Sequence, residues 1–451
     1  MIKVFLKSGE YMITGPDEAD LIVPEFLEDL CSDRRESAII KENSVKNQIK
    51  RELFRKLQKR TGDTPDWGIL TGVRPVKLAG ELLAREGSED KAREILIRDY
   101  YLTADKAELI LNIKKDQDRL LTPSPAEAVG LYIGIPFCPT RCVYCSFPAN
   151  QGNSEEINDY LEALHREITF TAEGMRRKGW YPESIYIGGG TPTTLTAKQL
   201  SELLLHVTEA FDLSRLREFT VEAGRPDTIS AEKLQVIRQY GVQRISINPQ
   251  SMNNDTLERI GRAHRPEDIE KAFQLARQAE IPMINTDVIA GLPEENVGDF
   301  VHTLKRVLAL EPENITVHTL ALKRASRLKE IDSDYPYKQG KIVRAMLDSA
   351  KEMLFREGYK PYYLYRQKQM TGNFENIGYA RGDTAGIYNI RIMEEAQTII
   401  ALGAGGITKV WYSDENRLER VPNVSNYQIY IERLSEMLHR KEANLFQDSD
   451  K

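Results

Sequence analysis

Three of the four cysteines in this 451-residue chain fall within eight positions: Cys138, Cys142 and Cys145 in "GIPFCPTRCVYCSF". Thiolates are soft ligands, and three of them spaced C-x3-C-x2-C on one loop can converge on one metal centre. A structural zinc site closes with four ligands. Cys31 lies more than a hundred positions upstream in the charged segment "EDLCSDRRES", and His165, the nearest histidine downstream, falls inside a helical pattern, so neither is a convincing fourth. Zinc and chance clustering of buried thiols are the competing explanations. A [4Fe–4S] cluster held through three of its irons fits the spacing better, and the fourth iron is then open to a ligand. Four cysteines distributed in this way make no disulfide framework, which points to a reducing cytoplasm.

The elements that position this loop follow from periodicity. Short apolar, β-branched runs recur at "LYIGI" (131–135), "SIYIG" (184–188), "EFTVE" (218–222), "QRISIN" (243–248), "MINTDVI" (283–289) and "NITVHTL" (314–320). Amphipathic helical patterns such as "TAKQLSELLLHVTEAF" and "PEDIEKAFQLARQAE" separate them. Strand followed by helix, repeated, calls for a parallel sheet with right-handed crossovers. Six such units suit either an open doubly wound sheet or a partial βα barrel. The cysteine loop follows the first strand, at the carboxyl end where βα proteins place their active sites. The flanks divide the chain into a mostly helical accessory region, 1–126, ending in the Pro-rich "LLTPSPAEAVG"; a βα region, 127–335; and a C-terminal region, 336–451, expected to cover the substrate.

Other polar groups sit where the same strands end. "GGGTPT" (188–193) follows the second strand, and its glycines let backbone approach a ligand closely. Glu222, Gln250 and Asp287 end three later strands, with Arg262 twelve positions after Gln250. Each alone reads as a loop residue; on successive strand tips they read as one site. Composition narrows the class further. Acidic residues outnumber basic ones 68 to 62, for a net charge of −6, which is not the footprint of a nucleic-acid binder. Hydrophobic residues, 41% of the chain, suffice for folded cores. No apolar run approaches the ~20 residues of a membrane helix. The opening "MIKVFLKSGEYMITG" lacks the apolar stretch of a signal peptide.

The cysteine motif with its internal aromatic resembles the signature of the radical S-adenosylmethionine (SAM) superfamily. "LYIGIPFC", "GGGTPT", "SINPQSM…LERIGR" and "DVIAGLP" resemble, in order, the blocks of the oxygen-independent coproporphyrinogen III oxidase family. The flanks "DWGILTGVRPVKLAGELL", "YYLYRQKQMTGNFENIGYA" and "EEAQTIIALGAGG" look most like its HemZ-type subgroup. The resemblance implies a partial (β/α)6 TIM-like barrel, with a mainly helical N-terminal domain and an α+β C-terminal region. It implies a [4Fe–4S] cluster on Cys138, Cys142 and Cys145, and SAM contacts from Tyr132, Tyr144, Gly189, Gly190, Thr191, Glu222, Gln250, Arg262, Asp287 and Ala321. The activity implied is oxidative decarboxylation of coproporphyrinogen III propionates to vinyl groups by a 5′-deoxyadenosyl radical, with flavodoxin or ferredoxin as electron donor. A polycarboxylate substrate calls for cations, and Lys323, Arg324, Arg327, Arg366 and Lys368 are the expected binders, with Arg74 and Lys77 weaker ones. Phe147 and Gly134 stand where the well-studied oxidases carry a cysteine and a histidine. Two alternatives share the resemblance: a haem chaperone, which binds rather than transforms, and a radical SAM enzyme acting on haem or another tetrapyrrole.

Overall fold

The computed structural model describes residues 38–72, 74–145, 150–321, 339–367 and 370–447. All six apolar runs form strands: β1 (Ala128–Ile135), β2 (Tyr181–Gly189), β3 (Glu218–Glu222), β4 (Arg244–Ser246), β5 (Met283–Ala290) and β6 (Asn314–Thr319). They lie side by side in chain order, and every neighbouring pair is parallel. Helices Ser154–Lys178, Ala197–Ala210, Ala231–Gln239, Pro266–Gln278 and Val297–Ala309 return the chain between strands. Local sequence fixes where they start. Asn153 with Glu156, Thr196 with Gln199, and Asn296 with Asp299 form reciprocal capping boxes, each satisfying two backbone N–H groups that the first turn leaves free.

The result is a partial (β/α)6 barrel whose sheet does not close. Short C-terminal strands lengthen it at both edges. β7 (Tyr359–Tyr365) pairs with β8 (Asn376–Arg381), which runs antiparallel to β6. At the other edge β9 (Ile399–Leu402) lies parallel to β1, followed by antiparallel β10 (Ile407–Tyr412) and β11 (Arg417–Pro422). The order among the described residues is β11-β10-β9-β1-β2-β3-β4-β5-β6-β8-β7. The N-terminal part is helical, with Ala38–Thr61, Pro75–Glu86, Glu89–Arg98 and Ala104–Leu120. It docks on the C-terminal strands: Trp67 Nε1 donates to Glu375 Oε2 (2.8 Å), and Gln117 Nε2 to the Tyr362 carbonyl (2.9 Å). One apolar cluster runs from Trp67 through the barrel to Phe446, so packing is continuous across the regions distinguished by sequence pattern.

Helix Ile387–Glu394 plugs the barrel at the end where the strands begin. The backbone N–H groups of Ile387 and Tyr388 donate to the Glu218 carboxylate (2.8 and 3.1 Å), an anion at a helix N-terminus. Farther along, Arg391 grips Glu183 with Nε and Nη2 (2.9 and 3.1 Å). A second buried ion pair secures the opposite side of β1. Lys441 Nζ lies 3.1 Å from Glu167, both side chains fully buried. Glu167 also accepts from the Gly403 backbone (2.7 Å) and Tyr430 (2.6 Å), which fixes the loop after β9 against Gly134.

Removing one member of such a pair leaves an uncompensated buried charge. Lys441→Met is expected to lower stability by about 3–5 kcal/mol, read by urea unfolding, and adding Glu167→Gln should recover part of the loss. A single variant as stable as the parent would mean that the pair is not buried in solution.

Candidate functional site

The cysteine loop is pinned by backbone hydrogen bonds along its length. Gly190 N–H donates to the Ile135 carbonyl and Thr191 N–H to the Phe137 carbonyl (both 2.8 Å), tying the turn after β2 to the residues leading into Cys138. Cys138 N–H donates to Asn150 (3.0 Å) and Val143 N–H to Ile260 (3.1 Å). Arg225 reaches in from the turn after β3 and donates to Thr140 Oγ1 (2.5 Å) while its fork holds Asp227 (3.0 and 2.9 Å). Gly190 shows how close the backbones come: a Cβ there would sit 2.6 Å from the Phe137 carbonyl oxygen. The thiols are not joined in disulfides; Cys142 is buried, and Cys138 and Cys145 are partly exposed. Cys138 Sγ lies 3.4 Å from Thr191 Oγ1.

All three cysteines and all ten residues expected to contact SAM line one cavity of about 630 Å³ at the carboxyl ends of the strands. Parallel register explains the convergence. Tyr132 is paired with Tyr186, and Asp287 with Thr316, so side chains of equal parity on neighbouring strands face the same interior. Tyr186 donates to Glu222 Oε1 (2.6 Å) and Gly189 N–H to Oε2 (3.2 Å). Burial, with the negative Asp287 adding to it, pushes Glu222 up to about 7. Gln250 takes a left-handed backbone (φ 64°), unusual for a residue with a long side chain. It is held there by its N–H to the Asp287 carbonyl and by the Ile289 N–H to its own carbonyl (both 3.0 Å). Arg262 donates to the carbonyls of Asn248 and Gly224, with Tyr144 and Cys142 alongside. Ala321 bridges to Met370 at the rim.

The geometry fits the expected cofactors. Among the described residues no three His, Cys, Asp or Glu side chains meet around a point that would hold a single metal ion. A cubane does not require that, because each thiolate binds a different iron. The cavity also holds buried acceptors with no protein donor among the described residues, Gln250 Oε1 and Asn248 Oδ1, and buried polar atoms are normally satisfied. A ligand with amino and hydroxyl groups would complete them.

Sequence reasoning missed the aromatic floor. Tyr388, from the plugging helix, stacks on Tyr186 with ring centroids 4.5 Å apart, and Tyr132 stacks beyond at 6.3 Å from Tyr186. It also missed His318, whose Nδ1 lies 3.2 Å from the Tyr365 hydroxyl and Nε2 3.5 Å from Asp287. Alternation along β6 carries a signal for His318, since Thr316 is the register partner of Asp287; Tyr388 left none. Arg366 requires a correction. It is buried, donates to the carbonyls of Leu70 (2.6 Å) and Asn373 (3.0 Å), and lies 4.8 Å over the Trp67 ring. Burial pushes its pKa down to about 10. Its fork is used in docking the N-terminal helices and is not available to a propionate. Arg74 and Lys77 line a separate cavity of about 470 Å³. Lys323, Arg324, Arg327 and Lys368, like Cys31 and Phe147, lie outside the described residues. At Gly134 a side chain would press on the carbonyls of Leu402 and Ala404, at 3.3 and 3.5 Å.

Comparison with known proteins agrees with this geometry. The Radical SAM superfamily profile matches residues 132–307. The oxygen-independent coproporphyrinogen-III oxidase-like protein HemZ of Bacillus subtilis is 42% identical over 405 residues, 88% of this chain and 80% of the relative. Heme chaperone HemW of the same organism is 37% identical over 195 residues, 43% of this chain and 50% of the relative, so the chain spans about half of that protein. Among solved structures, coproporphyrinogen III oxidase HemN of Escherichia coli shares the fold with a TM-score of 0.57 at 24% identity, covering 71% of this chain and 72% of that one.

The Gly190 contact yields a direct test. Gly190→Ala drives a methyl into backbone and should cost about 1–3 kcal/mol of stability, while moving Cys138 away from Thr191. Urea unfolding reads the first effect and the alkylation rate of Cys138 the second; an unchanged midpoint would mean that the two turns do not touch.

Proposed function

We propose a function from one premise: this chain belongs to the radical SAM superfamily and, within it, to the family of HemZ-like, oxygen-independent coproporphyrinogen-III oxidase-like proteins. Its cofactors are therefore a [4Fe–4S] cluster and SAM. Cys138, Cys142 and Cys145 hold the cluster, and the residues at the strand tips hold SAM. Bound there, the pair supplies a 5′-deoxyadenosyl radical, with a low-potential flavodoxin or ferredoxin as the electron source.

The reaction we infer is oxidative decarboxylation of coproporphyrinogen III. Each of two propionates loses a β-hydrogen atom to the adenosyl carbon, CO2 from its carboxylate, and one electron to a one-electron acceptor, and a vinyl group remains. The chain's own groups bind and orient. Glu222, charged when a cationic ligand is present, pairs with the SAM ammonium beside the Gly189 backbone. Gln250 and Asn248 offer acceptors to its polar groups, and Arg262 steadies Tyr144 behind Cys142. The Tyr132–Tyr186–Tyr388 stack gives the cavity a flat apolar floor that excludes water from a radical. The observation that carries this reading is the convergence of thiols, strand-tip polar groups and stacked tyrosines on one cavity.

Haem carriage is the second reading, prompted by the HemW relatives. His318 lines the cavity, but Tyr365 and Asp287 engage its two nitrogens, which disfavours it as an axial ligand. The next histidine in the chain is His439. Anaerobic incubation with SAM, a reductant and coproporphyrinogen III should yield 5′-deoxyadenosine with mono- and divinyl porphyrinogens. Haem binding without these products would replace the oxidase with the chaperone.

Two variants probe the cofactor end. Cys142→Ser is expected to abolish both the cluster absorption and SAM cleavage; surviving cleavage would refute the ligand assignment. For Glu222 the sign is definite. Its pKa is raised, so it is neutral below about 7 and charged above, and a cation binds only the charged form. SAM affinity should fall about tenfold per pH unit below 7, with proton release on binding near pH 7, and Glu222→Gln should flatten that dependence. Calorimetry in buffers of different ionisation enthalpy measures both, and a parent profile level from pH 8 to 6 would count against the pairing.

A further inference from the structure

Two stretches that carry the HemZ-type resemblance, "TGVRPVK" and "EEAQTIIALGAGG", meet each other through Arg74 and Glu395. Glu395 ends the plugging helix in a left-handed conformation (φ 52°). Its Oε1 faces three cations: Arg74 Nη2 at 2.9 Å, Arg420 Nη2 at 3.0 Å and Lys409 Nζ at 3.6 Å. One carboxylate against three cations leaves an excess of positive charge. The side chains of Glu395 and Lys409 are each 10% exposed, against 21% for Arg74 and 54% for Arg420, so water reaches the two guanidinium groups and the buried ammonium is the cation that a further anion would most relieve. Among the described residues Lys409 has one further partner, the Ile392 carbonyl (3.2 Å), which is not an anion. Arg74 Nε is buried with no acceptor. Burial, reinforced by Arg74, pushes Lys409 down to about 8, as expected of an ammonium short of counter-charge.

The cluster stands where two cavities adjoin. Lys409 and Met393 line the large cavity that holds the cysteines. Arg74 and the same Met393 line the second cavity, whose wall includes Trp411 with Lys77 Nζ 5.4 Å over its ring. Two arginines line the large cavity itself, and both have partners at its thiol end: Arg225 holds Asp227 and Thr140, and Arg262 donates to Asn248 and Gly224. We propose that Arg74, Lys409 and Arg420 form the anchor for a carboxylate of the tetrapyrrole substrate, at the end of the cavity away from the thiols. This rests on the tetrapyrrole reading above. The cluster takes the part that sequence reasoning gave to Arg366, and it presents the planar guanidinium forks that match a carboxylate.

Binding separates this anchor from a purely structural tie between the N-terminal helices and β10–β11. Full-length protein, anaerobically reconstituted, is titrated with coproporphyrin III and with its tetramethyl ester, and binding is followed by absorbance. The parent should prefer the free acid. Lys409→Gln and Arg420→Gln should each weaken the free acid about tenfold or more, the scale of a lost charge-assisted hydrogen bond, and leave the ester unchanged. Lys409→Arg should retain most of the preference. Arg420 is half-exposed, so its variant tests the idea even where Lys409→Gln fails to fold. Free-acid binding equal to the parent in Arg420→Gln and Lys409→Gln would overturn the anchor and leave the tetrapyrrole reading standing. A parent that binds neither porphyrin would overturn the tetrapyrrole reading and the anchor together.

Discussion

A loop with three thiols is useful only if its backbone holds them apart and aims them into the same space. Side chains as short as cysteine have little reach, so the backbone must do the aiming. Here the neighbouring turns do it, through N–H groups of Gly190 and Thr191 after β2, the Asn150 carbonyl beyond the loop, and the Ile260 carbonyl from the stretch that carries Arg262. Three separate elements therefore have to be in register before the thiols are in place. The glycines of "GGGTPT" belong to this constraint as much as to any ligand. Gly190 is small because the Phe137 carbonyl lies where its Cβ would be.

That register is secured from the far end of the barrel by charges. A sheet that does not close exposes its interior, and the plugging helix seals it with Glu218 on the helix N-terminus and Arg391 on Glu183. Burial disfavours a charged Glu183, but hydrogen bonds from Arg391 and Gln397 prevail, and its pKa is held below the usual value. The stability this contributes is present at neutral pH and is lost as acid protonates the group. Arg244 joins the layers, with Asn285 Oδ1 at 2.7 Å and the Thr384 carbonyl at 2.8 Å. Such networks are costly to desolvate and gain little over an apolar core. What they add is a single permitted position for the helix, and hence for Tyr388 on the cavity floor.

The barrel was legible in the sequence because its signals are local and redundant. Each of the six runs from "LYIGI" to "NITVHTL" became a strand, capping pairs such as Asn153–Glu156 mark helix starts, and parity along the strands carries Glu222 and Asp287 inward. The edge strands were not legible. β9 has four residues and β7 contains Pro361; β9 becomes a strand because β1 presents an unpaired edge, and β7 because β8, itself laid on the edge of β6, does the same. Arg366 was misread for a related reason. An arginine among tyrosines looks alike whether its fork meets a ligand or a carbonyl, and only the docking of the N-terminal helices, which brings Leu70 to it, decides between the two.

Charged groups stand at both ends of the long cavity, and they bear on how two ligands would share it. At the strand tips the carboxyl groups of Glu222 and Asp287 stand beside the guanidinium groups of Arg225 and Arg262. At the β9–β10 end Lys409 lines the cavity, with Arg74 and Arg420 beyond it around the same Glu395. Between them lie the tyrosine stack and the apolar side chains of Ile392, Met393 and Ile399. In a medium of low effective dielectric such a separation discriminates strongly, since each misplaced charge costs more there than in water. The carboxyl groups at the strand tips suit the ammonium of a sulfonium ligand, and the cations around Glu395 suit a carboxylate, so charge favours one order of the two ligands along the cavity.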